Sequence, residues 1–161
     1  MTALSTLIYG YGNPGRQDDG LGNAFVDEME RWATNEKLKG ITFDSNYQLN
    51  IEDAAAIAEN DLVIFVDAST EDIEDFVLTP VNAETRVAFT THAASPGYIV
   101  DLCRQLYERV PATYLMHIKG YEWAFREGLS DKGRENLEKA LHHMKSLLKN
   151  PESMVREFQE F

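Results

Sequence analysis

The chain predicts a single three-layer α/β/α domain on a mostly parallel, twisted central sheet. Three observations predict it. Strand-like and helix-like patterns alternate along all 161 residues, the alternation that builds a parallel sheet covered by helices. The run Leu62-Val-Ile-Phe-Val66 is apolar without a break, as a strand buried on both faces must be. The first apolar run, Leu7-Ile8-Tyr9, ends in Gly10-Tyr-Gly-Asn-Pro-Gly15 and leads into an amphipathic run. Open α/β sheets bind ligands at such strand–turn–helix junctions.

Each element has its own signal. Leu7-Ile8-Tyr9 reads as the first strand and Ala24 to Trp32 as the first helix. Ile41-Thr-Phe43 reads as the second strand, running on toward Tyr47 and Leu49, and alanine-rich Ile51 to Asn60 as a helix. Leu62 to Val66 is the buried strand. Phe76-Val-Leu78 is a short strand candidate, and Val87-Ala-Phe89 is another strand or part of a loop. Ser95-Pro96 pairs an N-cap with proline at the first helical position. The helix that follows runs from Gly97 to about Arg109, with Ile99, Leu102, Cys103 and Leu106 inward. Tyr114 to Ile118 reads as a late strand. Ser130 or Asp131 caps a long helix to about Lys149, whose residues Leu137, Leu141, Met144 and Leu148 recur at helical spacing and belong to the core. Asn150-Pro151 ends it. One domain spans 1–161, with its core at 4–148 and a tail at 151–161 that forms a docked turn or hangs free.

Composition narrows the function classes. The hydrophobic share of 43% suffices for a proper core. No apolar run approaches the ~20 residues of a membrane span, and Met-Thr-Ala-Leu-Ser has neither the basic region nor the apolar core of a secretory signal. The one cysteine, Cys103, excludes an internal disulfide and suits a reducing cytoplasm. A net charge of −12 argues against nucleic acid and anionic lipid as main partners, because phosphate binding needs clustered Lys and Arg. The expectation is a cytoplasmic protein with no membrane insertion and no nucleic-acid partner.

Three candidate chemical residues fall at predicted carboxyl edges of strands. Asp19 follows the first strand, Asp67 directly follows Val66, and His92 precedes the Ser95-capped helix. Parallel strands end on one side, so these residues can meet in one cleft. Two carboxylates and an imidazole suit a borderline divalent ion with positions left open for substrate. Each also has a bland reading: a turn-forming aspartate, a structural aspartate after a buried strand, a surface histidine. The neighbours Asp18 and Asp19 repel each other unless one faces a cation or a helix N-terminus. Gly10-x-Gly12-x-x-Gly15 also matches the dinucleotide fingerprint. Pro14 stiffens that loop, however, and no acidic residue ends a second strand at the required distance.

At these residues the chain resembles the hydrogenase maturation endopeptidases, which process the large subunit of nickel–iron hydrogenases. The resemblance rests on Gly12-Asn13, Asp18-Asp19 and Gly20-Leu-Gly22; on Ile64-Phe-Val-Asp67-Ala68; on Thr91-His92 with Ser95-Pro96; on Tyr47-Gln-Leu49 with Glu52; and on Gly128-Leu-Ser130. It covers residues 4 to about 148. It implies a phosphorylase/hydrolase-like fold and an aspartic-type endopeptidase that removes a C-terminal extension without a serine or cysteine nucleophile. Asp19, Asp67 and His92 become the catalytic and metal-contacting residues, supported by Gly12, Asn13, Asp18 and Gly20. The metal is Ni²⁺ supplied by the substrate, for which Zn²⁺ or Cd²⁺ can stand in. The partner is the precursor large subunit, bound transiently by a monomer. The segment Ile118-Lys-Gly-Tyr-Glu-Trp123 departs from the family pattern.

Peptidyl-tRNA hydrolases open with a similar strand and Gly-x-Gly-Asn-Pro-Gly turn, followed by a His-Asn pair. This chain has Asp18-Asp19 there and no histidine before His92. A non-catalytic metal- or peptide-binding module on the same fold is the other alternative. Cys103 and His117 read as packed residues, His142 and His143 as a tandem pair that cannot chelate, and Trp32 and Trp123 as core or rim, with a substrate cleft as the second option for Trp123.

Overall fold

The computed structural model describes residues 4–83 and 94–160. Its five-stranded sheet has the order β2-β1-β3-β5-β4. β1 (Thr6–Tyr11), β2 (Ile41–Asn46), β3 (Leu62–Ser69) and β5 (Ala112–Lys119) run parallel. The edge strand β4 (Phe76–Pro80) is antiparallel to β5. The expected mostly parallel α/β/α domain is what forms.

Strand alternation sorts the core into two halves. Ile8, Ile64, Val66, Met116 and Ile118 face α1 (Leu21–Asn35) and α4 (Asp131–Leu147). Leu7, Tyr9, Val63 and Phe65 face α2 (Ala54–Ala58) and α3 (Pro96–Tyr107). The helix stripes fit: Phe25, Val26 and Met29 on α1 and Leu137, Leu141 and Met144 on α4 are buried.

The boundaries correct several expectations. α1 begins at Leu21, before Ala24, because the turn Gln17–Gly20 coils directly into it. The helix expected at Ile51 to Asn60 is a tight turn, Ile51–Asp53, followed by a short α2; Asn50 and Asp53 close a capping box across its start. β3 continues to Ser69, so Asp67 lies within the strand, still paired to β5. On α3 the Ser95 oxygen accepts the Tyr98 amide at 3.1 Å, as the cap requires. Leu106, expected inward, is 63% exposed. The strand candidate Val87-Ala-Phe89 lies outside the described residues.

The tail forms a helix, α5 (Pro151–Phe158), docked on the sheet. Met154 is buried, and the Tyr114 hydroxyl donates to its carbonyl at 2.7 Å. The Tyr114 and Phe158 rings meet edge-on at 5.9 Å. The packed core therefore extends past residue 148. No described helix is long and apolar enough to cross a membrane.

Candidate active site at the carboxyl edge of the sheet

The site is built on the junction of β1 and α1, and glycines set how close the two elements come. A Cβ on Gly10 would lie 2.2 Å from the Gly22 carbonyl oxygen, and one on Gly22 would lie 2.4 Å from that of Val66. The first turn of α1 thus rests directly on the ends of β1 and β3. Gly12 has a φ of +149°, and a Cβ there would meet the Asp19 carbonyl oxygen at 1.9 Å. Only glycine fits these positions.

The adjacent aspartates separate. Asp18 points inward and is fully buried. Its carboxylate accepts the amides of Tyr121 at 2.7 Å and Glu122 at 3.1 Å. It also accepts the amide and hydroxyl of Ser130, at 2.8 and 2.6 Å. Ser130 is the N-cap of α4, accepting the Gly133 amide at 3.0 Å. Asp18 therefore faces a helix N-terminus, which resolves the repulsion anticipated for the pair. Burial raises its pKa, but the Ser130, Tyr121 and Glu122 donors outweigh that and hold the carboxyl below its ordinary value.

Asp19 points the other way and is half-buried. The Asn13 amide donates to its Oδ2 at 3.0 Å. The Asn13 side chain is occupied in the turn, its Oδ1 accepting the Gly15 amide at 2.9 Å. Gly20 packs against Pro14, where a Cβ would sit 2.7 Å from the proline Cα. Gly12, Asn13 and Gly20 thus shape the turn that aims Asp19.

Asp67 stands opposite, on β3. Its carboxyl is pushed up to about 7, first by burial and then by the Asp19 charge, with the Ala68 amide pulling partly back. The structure brings these two predicted residues into electrostatic reach of one another. His92, the third, lies outside the described residues. Among the described residues no group of three or more His, Cys, Asp and Glu side chains is gathered as a metal site.

Two residues beside Asp67 are not among the predicted site residues: Tyr11, to which the sequence assigns no role, and His117, which reads from the sequence as packed and is half-buried. Gly10 pairs with Val66, so Tyr11 lies beside Asp67 at the end of β1. His117 pairs with Asp67 on β5. All three share the face of Tyr9 and Phe65 by alternation. Burial lowers the His117 pKa, with Glu71 opposing. Burial, Asp67 and Tyr9 raise that of Tyr11. Cys103 is buried on the inner face of α3, and burial pushes its thiol up to about 11, as suits a packed residue.

Two grooves flank the aspartate turn. One, of about 250 Å³, is lined by Gly12, Pro14, Asn23, Ser45, Asn46 and Tyr47. The other, of about 240 Å³, lies between the start of α1 and Gly128-Leu129. The segment 121–126 is strapped to the turn: Gln17 donates to the Arg126 carbonyl at 2.9 Å, and its side chain accepts the Ala124 amide at 3.0 Å. Arg16 donates to the Trp123 carbonyl at 3.0 Å and lies over the Phe125 ring, which is 85% exposed. Trp123 is half-buried against Gly120.

A mostly parallel five-stranded sheet with one antiparallel edge strand, covered by helices on both faces, defines a three-layer α/β/α domain whose candidate site lies at the β1–α1 junction. That is the fold of the hydrogenase maturation proteases. The chain is similar to a [NiFe] hydrogenase maturation protease HycI from Thermococcus kodakarensis KOD1 (TM-score 0.72, 20% identity), over 91% of this chain and 93% of that one. The hydrogenase maturating endopeptidase HybD from E. coli matches with a TM-score of 0.69 and 17% identity, over 91% and 93%. A hydrogenase 2 maturation peptidase from Thaumarchaeota archaeon SCGC_AB-539-E09 matches at 0.66 and 16%, over 90% and 98%. No protein-family model and no curated protein matches the chain.

Proposed function

We propose that the protein is an endopeptidase that removes the C-terminal extension from a nickel-loaded precursor of a nickel–iron hydrogenase large subunit. The observation that carries this reading is the Asp19–Asp67 pair, held at one sheet edge closely enough that the charge of Asp19 raises Asp67. The shared fold and the motif around Asp19, Asp67 and His92 support it.

In this reading the Ni²⁺ is part of the substrate. Asp19, Asp67 and His92 contact it and so hold the neighbouring peptide bond in the cleft. One carboxylate takes a proton from water as the water oxygen bonds to the carbonyl carbon. The C–N bond then breaks, and the proton passes to the leaving amine. The substrate's ion polarises the carbonyl or the water. The two grooves give an extended peptide room on either side of the Asp19 turn. The partner is a transient one, met by a cytoplasmic monomer.

The test is incubation with nickel-loaded and metal-free precursor, read by the mass of the large subunit. The loaded precursor should lose its extension, and Asp19→Asn, Asp67→Asn and His92→Ala should each slow this at least about 100-fold. Full cleavage of metal-free precursor would remove the nickel-dependent form of the proposal. A variant Asp19→Asn that turns over normally would favour the non-catalytic binding module.

A further inference from the structure

Tyr11 closes β1 beside Asp67. Its ring is held edge-on against Phe65, with centroids 6.5 Å apart at 71°, and tilted against Tyr9 at 6.5 Å and 57°. The residue is half-buried, burial and the Asp67 charge raise its pKa, and its hydroxyl bonds to no side chain or backbone group among the described residues. At Asp67 the neighbouring Ala68 amide pulls the carboxyl pKa partly back, and no described side chain bonds to it. A fixed phenolic donor and a carboxylate acceptor therefore stand side by side at the carboxyl edge, both half-buried and not bonded to each other. A pair left open at the carboxyl edge is matched by a ligand that brings both an acceptor and a donor. A peptide carbonyl with its attacking water has that complement.

We propose that Tyr11 is a further catalytic residue of this site, its hydroxyl donating to the carbonyl oxygen of the peptide bond cut beside Asp67. The assignment rests on the endopeptidase reading. The phenol is protonated throughout the neutral range and so acts as a permanent donor. Its ring is fixed by packing before substrate arrives. A donor aimed at the oxygen where negative charge develops stabilises the transition state more than the ground state. Its loss should appear in kcat rather than in KM.

The experiment compares wild type with Tyr11→Phe on nickel-loaded precursor, with the thermal midpoint of both measured alongside. The expected result is a fall in kcat of about 100-fold, the usual effect of losing one such donor, with KM changed less than about 3-fold. The midpoint should not fall, because the hydroxyl gives up no bond within the folded chain. A kcat within about 3-fold of wild type overturns the assignment. So does a lowered midpoint that accounts for the lost activity. If wild type itself leaves the loaded precursor uncut, the endopeptidase reading falls and Tyr11's role falls with it. An active wild type with an equally active Tyr11→Phe removes the Tyr11 role alone.

Discussion

The Asp18 carboxylate accepts both the amide and the hydroxyl of Ser130, a residue 112 positions further along the chain, at 2.8 and 2.6 Å. This joins the aspartate turn to the N-terminus of α4. It leaves Asp19, the next residue, as the member of the pair that faces the cleft. Gly133 completes the arrangement: a Cβ there would lie 2.8–2.9 Å from the carboxylate.

Removing that anchor should unfold the turn before it touches the chemistry. Asp18→Ala strands four donors that the carboxylate now satisfies, and should cost about 3–5 kcal/mol. Gly133→Ala, which crowds the same carboxylate, should cost about 1–3 kcal/mol. Urea midpoints measure both. A loss under about 1 kcal/mol for Asp18→Ala would mean that other contacts hold the turn.

Asp67 should make stability fall as pH rises. Its carboxyl is held at about 7 in the folded chain, against about 3.9 unfolded. Between these values the folded state binds more protons than the unfolded. The stabilisation is full below about pH 4 and is lost as pH rises through about 7. Asp67→Asn removes the titration, and should gain about 2–4 kcal/mol relative to wild type between about pH 4 and 8. Asp18 acts with the opposite sign, its contribution being lost as pH falls. Denaturation curves across that range decide the matter: parallel profiles for wild type and Asp67→Asn would contradict the burial of this carboxyl.

The β1–α1 contact predicts a sharp glycine requirement. Gly22→Ala places a methyl 2.4 Å from the Val66 carbonyl oxygen. That atom is sheet backbone and cannot yield, so α1 must move. The cost should exceed about 2 kcal/mol, and the shift should reach the Asp19 turn. Stable folding of Gly22→Ala with an unchanged amide NMR spectrum at Gly12 to Gly20 would refute the contact.

The C-terminal helix should behave as part of the core. Met154→Ala should cost about 2–4 kcal/mol, as large-to-small changes at fully buried sites do. Tyr114→Phe leaves the Met154 carbonyl without its donor, and should cost about 1–2 kcal/mol. Thermal melts of the two variants test this. A melt unchanged in both would return residues 151–158 to the status of a loose tail.

The sequence determined the layers, because periodicity records which sides of an element meet apolar neighbours. The unbroken apolar run of β3, the stripe of α4 and the Ser95 cap were all legible this way, and so was the place of Asp19 and Asp67 at the carboxyl edge. Local pattern carries no pairing register and no direction for a buried carboxylate. Tertiary structure alone decided that Asp18 turns inward to Ser130 while Asp19 turns out, since the donors that capture Asp18 come from residues 121–130. It alone set Tyr11 and His117 on either side of Asp67, because neighbours across a sheet are fixed by hydrogen-bond register between strands far apart in the chain. It also docked α5, whose short apolar pattern acquires meaning only against the Tyr114 hydroxyl and the sheet beneath it.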